Sequence, residues 1–188
     1  MTKIAIFASG NGSNFEAIVN AAQSGNLRVN PAVLVCDKPG AGVISRAESM
    51  GIETLVVSPA TYPDKAAYET AILTELQRRD IRFIVLAGYM RIVGKTLLEA
   101  YPGRIINIHP SLLPLFPGLD AIRRAYEIGA SETGVTIHYV DEGMDTGPVI
   151  AQHRVPIEKD DTLNSLEEKI HKVEHQLYIE TLQELFHQ

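Results

Sequence analysis

The sequence predicts an α/β domain: a Rossmann-like, open, mostly parallel sheet with helices on both faces and an antiparallel strand toward one edge. Three observations predict it. Apolar runs rich in Val and Ile alternate with segments of helical spacing through the first half of the chain. Those runs are nearly continuous rather than alternating, the pattern of strands buried on both faces. After residue 130 the rhythm changes, and two strand-like runs follow each other too closely for a parallel crossover.

Each element has a local reason. Residues 3–9 (Lys-Ile-Ala-Ile-Phe-Ala-Ser) read as the first strand, broken by Gly10-Asn11-Gly12-Ser13-Asn14. Phe15, Ile18, Val19 and Ala22 recur at helical spacing, which predicts a helix over 15–24 with Asn14 as its N-cap. A second strand at 32–36 leads to a helix over 41–50, stopped by Gly51. A third strand at 53–57, a helix at 64–79 and a fourth strand from Phe83 to Ala87 follow. The alternation continues with a short helix near 95–100, a strand at 104–109 and a helix near 118–129. Residues 134–140 and 148–156 are strand-like and joined by about seven residues, where a parallel crossover needs a dozen or more. At least one of them is therefore expected to run antiparallel near the sheet edge. An amphipathic helix over 162–186 closes the chain.

Composition narrows the class of function. The 188 residues suffice for one well-cored domain, and 45% hydrophobic with 21% charged residues is ordinary for a soluble protein. No apolar stretch approaches the length of a membrane span, and Met1-Thr2-Lys3 does not open a signal peptide. A single cysteine, Cys36, excludes an internal disulfide framework and fits a reducing, cytoplasmic setting. A net charge of −6 argues against a nucleic-acid partner.

The strongest chemical signal is Asn107-Ile-His109-Pro110. Residues two apart on a strand share a face, and Pro110 ends the strand because it cannot donate to the ladder. An amide and an imidazole thus stand together at the C-terminal end of a strand, where open α/β sheets bind ligands. Ordinary polar residues at a strand end would look the same, so the rest of the chain has to decide. The glycine loop 10–14 precedes a helix, whose N-terminus favours an anion. Phe15 stands where a dinucleotide fingerprint wants a small residue, and the P-loop lysine is absent. A phosphate monoester fits best, although Asp37 at the end of the second strand keeps a dinucleotide open, as does a purely structural turn. Asp141, Glu142 and Asp145 share one loop, with Gly143 and Gly147 bracketing Asp145. Were Asp145 to approach His109, its charge would favour the protonated ring.

Three other signals are weaker. His171-Lys-Val-Glu-His175 matches an inverted zinc-peptidase motif, but no third ligand is evident, so no metal is expected. Cys36 lies inside an apolar run and reads as a small buried hydrophobe. Ser111 lacks a Gly-x-Ser-x-Gly elbow and reads as a turn residue.

Taken together, Ala8–Asn14, Val85–Ile92, Asn107–Pro114 and Asp141–Pro148 resemble the formyl-folate transferase family, in matching order over essentially the whole chain. The Gly-Asn-Gly-Ser-Asn loop is similar to the glycinamide ribonucleotide branch of that family. The resemblance implies a single domain over 1–188. About 1–100 would form the phosphate and ribonucleotide half, and about 101–188 the folate-binding and catalytic half. It implies Asn107, His109 and Asp145 as the catalytic group. Gly12, Ser13 and Asn14 would hold the ribonucleotide phosphate, and Glu174 its ribose. Met90, Arg91, Ile92, Val93, Val140, Asp141 and Glu142, with Asn107, would line the folate site, largely through backbone groups. Lys65 stands where some relatives carry an arginine for the folate tail, keeping the charge without the bidentate fork. Asp120 and Ile122 stand where some relatives carry histidines.

The implied reaction moves the formyl group of 10-formyltetrahydrofolate, a cosubstrate, to the amine of glycinamide ribonucleotide in purine synthesis. No metal is required for it. A formyl-folate hydrolase is the nearest rival; its relatives carry an extra N-terminal domain. A methionyl-tRNA formyltransferase would need a C-terminal tRNA-binding domain. A non-catalytic nucleotide-binding module using Gly10–Asn14 and Asp37 is the rival of a different class. A homodimer stays open.

Overall fold

The computed structural model describes residues 1–187 and contains one seven-stranded sheet of order β3-β2-β1-β4-β5-β6-β7. Strands β1 (Thr2–Ala8), β2 (Val29–Cys36), β3 (Glu53–Val56), β4 (Phe83–Leu86) and β5 (Ile105–His109) run parallel to one another. Strand β6 (Glu132–Tyr139) runs antiparallel to β5, and the edge strand β7 (Val149–Pro156) runs antiparallel to β6, so the expected edge reversal is β6 alone and both pairings at that edge are antiparallel. The chain order reverses between β1 and β4, and that switch point opens a crevice at the strands' C-terminal ends.

Strand β1 shows why the runs look continuous. Ile4, Ile6 and Ala8 pack into one apolar layer, and Ala5 and Phe7 into the other. The first layer is covered by α1 (Ser13–Gln23), α2 (Gly42–Ser49) and α6 (Leu163–Phe186), with α5 (Ala121–Glu127) against α6. The second lies under α3 (Lys65–Arg78) and α4 (Lys95–Ala100). Helix α6 starts at a reciprocal cap, in which Ser165 N–H donates to Thr162 Oγ1 and Thr162 N–H to Ser165 Oγ. Its Tyr178 is fully buried, and the hydroxyl donates to the Leu86 carbonyl at 2.6 Å.

Three boundaries differ from the sequence reading. Helix α1 is capped by Gly12, not Asn14. Gly12 adopts φ 84°, and a Cβ there would lie 2.5 Å from Val43 Cγ2, so only glycine lets α1 approach α2 so closely. Strand β2 begins at Val29, earlier than expected, because a register irregularity opposite Ile4 and Ala5 accommodates Pro31. Helix α5 begins at Ala121, since Gly118 and Asp120 both turn left-handed before it. A 3₁₀ turn at Pro59–Thr61 was not foreseen.

Candidate active site

Strand β5 carries Asn107 and His109 to the crevice, and β6 lies alongside it in a register that pairs Asn107 with His138 and His109 with Thr136. Paired residues share a face of the sheet, so four polar side chains stand together. Asn107 Nδ2 is 3.4 Å from His138 Nε2. Asp145 arrives from the β6–β7 loop and sits between the two imidazoles. Its Oδ2 is 3.5 Å from His109 Nδ1, and its Oδ1 is 3.6 Å from His138 Nε2. Three residues implied as a group are therefore brought together by the fold, with His138 as a fourth member.

Asp145 is held by backbone geometry as well as by partners. Its φ is 56°, in the left-handed region that short polar residues tolerate. Gly147 sits so close to the end of β6 that a Cβ would lie 1.7 Å from the Tyr139 carbonyl oxygen. The Gly118 N–H donates to Asp145 Oδ2 at 2.8 Å. Burial alone would push this carboxyl up, but hydrogen bonds with His138 and Gly118 and the nearby His109 ring outweigh it. The net effect holds Asp145 below the ordinary carboxylate range, so it is ionised at neutral pH. His109 is 6% exposed, and its Nε2 donates to the Phe116 carbonyl at 2.8 Å. Arg124 ties the same turn by donating to the Pro117 and Leu119 carbonyls.

The phosphate and ribose candidates also converge. Ser13 and Asn14 open α1, and the Asn14 amide donates to Glu174 Oε2 at 3.0 Å across to α6. Asn14 is thus occupied by a tertiary partner rather than by capping. Glu174 is buried at 5% exposure, and its Oε1 lies 2.8 Å from His171 Nδ1. That carboxylate raises the His171 pKa despite partial burial, while burial lowers that of His175. Within the zinc-like motif, His171 turns to Glu174. Among the described residues no group of three or more His, Cys, Asp or Glu side chains could hold a metal ion.

On the other side of the crevice, Lys65, Met90, Arg91 and Ile92 line a cavity of about 590 Å³ with Asp37, Tyr62 and Tyr68. Arg91 Nε donates to Asp37 Oδ2 at 2.9 Å, so the acid that kept a dinucleotide open is already ion-paired within this chain. The segment is anchored from below, where Met90 N–H donates to Ser9 Oγ and Gly94 N–H to buried Glu69. Val93 does not line the cavity and is packed in the core, as is Val140 in part. Val140 N–H is used by the Ile105 carbonyl. Asp141 closes its own loop by accepting from Thr146 Oγ1 and Gly143 N–H, which lowers its pKa. Glu142 is exposed, Asp120 caps α5 from the left-handed region, and Ile122 packs against the core.

Sequence reasoning missed His138. Its only trace is the alternation Gly134-Val-Thr-Ile-His, which puts Thr136 and His138 on one face. Which face that is depends on the β5–β6 register, and spacing does not encode it.

An open α/β sheet with an amide, imidazoles and a carboxylate gathered at the C-terminal end of β5 defines a class, and its sequence counterpart is found. A Formyl transferase family model matches residues 2–182, and the chain belongs to that family. Within it, the chain is 54% identical to phosphoribosylglycinamide formyltransferase of Bacillus subtilis, over 98% of this chain and 95% of that protein. A crystal structure of glycinamide ribonucleotide transformylase 1 from Geobacillus kaustophilus superposes with a TM-score of 0.96 at 60% identity, covering 98% of both chains. The human trifunctional purine biosynthetic protein adenosine-3 is 34% identical over 96% of this chain, which spans 18% of that larger protein.

Proposed function

We propose that this chain transfers the formyl group of 10-formyltetrahydrofolate to the amine of glycinamide ribonucleotide, a step of purine synthesis. The observation that carries the reading is the meeting of Asn107, His109 and ionised Asp145 at the end of β5. The names of its full-length relatives supply the substrates.

In this reading the ribonucleotide lies along the α1 N-terminus, with its phosphate on Gly12, Ser13 and Asn14 and its ribose on Glu174. The folate lies along Met90–Val93 and the 140–142 backbone, with Lys65 toward its tail. The amine attacks the formyl carbon directly, so no covalent enzyme intermediate forms. The carbonyl oxygen becomes an oxyanion in the tetrahedral intermediate. Asn107 Nδ2 and His109 Nε2 donate to that oxygen, which takes the place of the Phe116 carbonyl at the ring. Preorganised donors of this kind are worth about 3–4 kcal/mol each. Asp145 stabilises the charged ring and, through water, relays the amine proton to the leaving folate nitrogen. His138 orients Asp145 from the side opposite His109.

The test is a spectroscopic assay of folate deformylation with and without glycinamide ribonucleotide. Turnover that requires the ribonucleotide and yields its formylated product is expected. Equal turnover without it would identify a hydrolase instead.

A further inference from the structure

The turn that follows His109 hangs from a polar row running across the sheet to its edge. Thr136 is the register partner of His109 on β5 and of Gln152 on the edge strand β7. The Thr136 side chain is fully buried and completely used: Oγ1 donates to the Ser111 carbonyl at 2.7 Å and accepts from Leu113 N–H at 3.1 Å and Gln152 Nε2 at 2.9 Å. The same Gln152 amide nitrogen donates its second proton to the Leu113 carbonyl at 2.8 Å. One side-chain amide thus holds both the loop backbone and the hydroxyl that holds it.

From there the chain of contacts returns to the imidazole. Ser111 N–H donates to the His109 carbonyl at 3.0 Å, and Ser111 Oγ donates to the Leu115 carbonyl at 2.5 Å. The next carbonyl, that of Phe116, meets His109 Nε2. Gln152 itself is an exposed residue on the edge strand. An exposed glutamine with both amide protons committed inward contributes geometry more than packing.

We propose that Gln152 is a positioning residue for His109, acting through Thr136 to fix the root of the 110–116 turn while its tip exchanges the Phe116 carbonyl for substrate. Misplacing a reacting group by a fraction of its bond length is costly in rate, whereas substrate affinity depends on other contacts. The inference rests on the formyl-transfer reading, and the wild-type protein is assayed first to keep the two apart.

The experiment compares Gln152→Met and Gln152→Glu with the wild type and with His153→Ala, a neighbour on β7 whose ring nitrogen meets the Arg154 carbonyl. Both Gln152 variants keep the stem and lose the paired donors. Turnover is expected to fall on the order of tenfold in each, with both Michaelis constants within about twofold of wild type. The ring ¹⁵N signals of His109 are expected to shift in both and to stay in place in His153→Ala. For Gln152→Glu the deficit should shrink as pH falls, because the protonated carboxyl regains one donor. Unchanged turnover in folded Gln152→Met, a loss confined to the Michaelis constants, or failure of both variants to fold would overturn the proposal. An inactive wild type would instead sink the formyl-transfer reading.

Discussion

At the scale of single residues, the site is built from side chains whose charge is set by one or two neighbours. Glu174 accepts from Asn14 with one oxygen and lies against His171 with the other, and this contact raises the His171 pKa. A folded value above the unfolded one means the pair contributes stability below the unfolded histidine value, near about 6.5. That contribution disappears as pH rises through the higher folded value. Glu174→Gln should therefore bring the His171 titration down, as followed by ring NMR, and should weaken the ribonucleotide more than the folate. Asp145 has the opposite sign. Its folded value is lowered, so it stabilises above the usual carboxylate range and that stability is lost as pH falls through the lowered value. Asp145→Asn should flatten the acid limb of the unfolding curve, measured by circular dichroism against pH. At this scale the sequence was partly legible. Asn107 and His109 announced themselves by their spacing, but Asn14 was read as a cap because its partner lies 160 positions away.

The elements explain why some positions read clearly and others did not. Strand and helix periods are local, so every strand and helix from β1 to α6 was recognisable, and departures fell where tertiary packing overrode a boundary. Gly12 is the instructive case. Its glycine is demanded by Val43 and by a left-handed φ, so Gly12→Val would disturb the α1–α2 packing before it tested any ligand. The cleaner probe of the α1 N-terminus is Ser13→Ala, which removes one hydroxyl and leaves the backbone intact. A hydrogen bond to a charged group is worth about 1.5–3 kcal/mol, so the Michaelis constant for the ribonucleotide should rise roughly tenfold or more. Calorimetry with a folate analogue should show little change. Equal weakening of both ligands would make this loop a support of the fold. Helix α6 invites the opposite error, since its His-x-x-Glu-His spacing suggests zinc. Exhaustive chelation should leave formyl transfer intact, and activity restored only by added zinc would show that the helix holds a metal.

Across the whole molecule, function depends on the sheet joining distant segments at one crevice. Residues 107 and 109 come from β5, Asp145 from the β6–β7 loop, and Lys65 and Met90–Ile92 from the ends of α3 and β4. The order β3-β2-β1-β4-β5 puts the β1 and β4 loops on adjacent strands, and the antiparallel pair then folds the acidic loop back over β5. Local pattern predicted the sheet class, yet the register that seats His138 opposite Asn107 emerges only from pairing. The central claim is that His109 and Asp145, 36 positions apart, act as one unit on the formyl group. A double-mutant cycle tests it most directly, with turnover measured for His109→Ala, Asp145→Ala and the double variant. Each single change should cost about a hundredfold or more in correctly folded protein, and the double variant should lose little beyond the worse single one. Near-wild-type turnover in His109→Ala, or losses that simply multiply, would contradict the account.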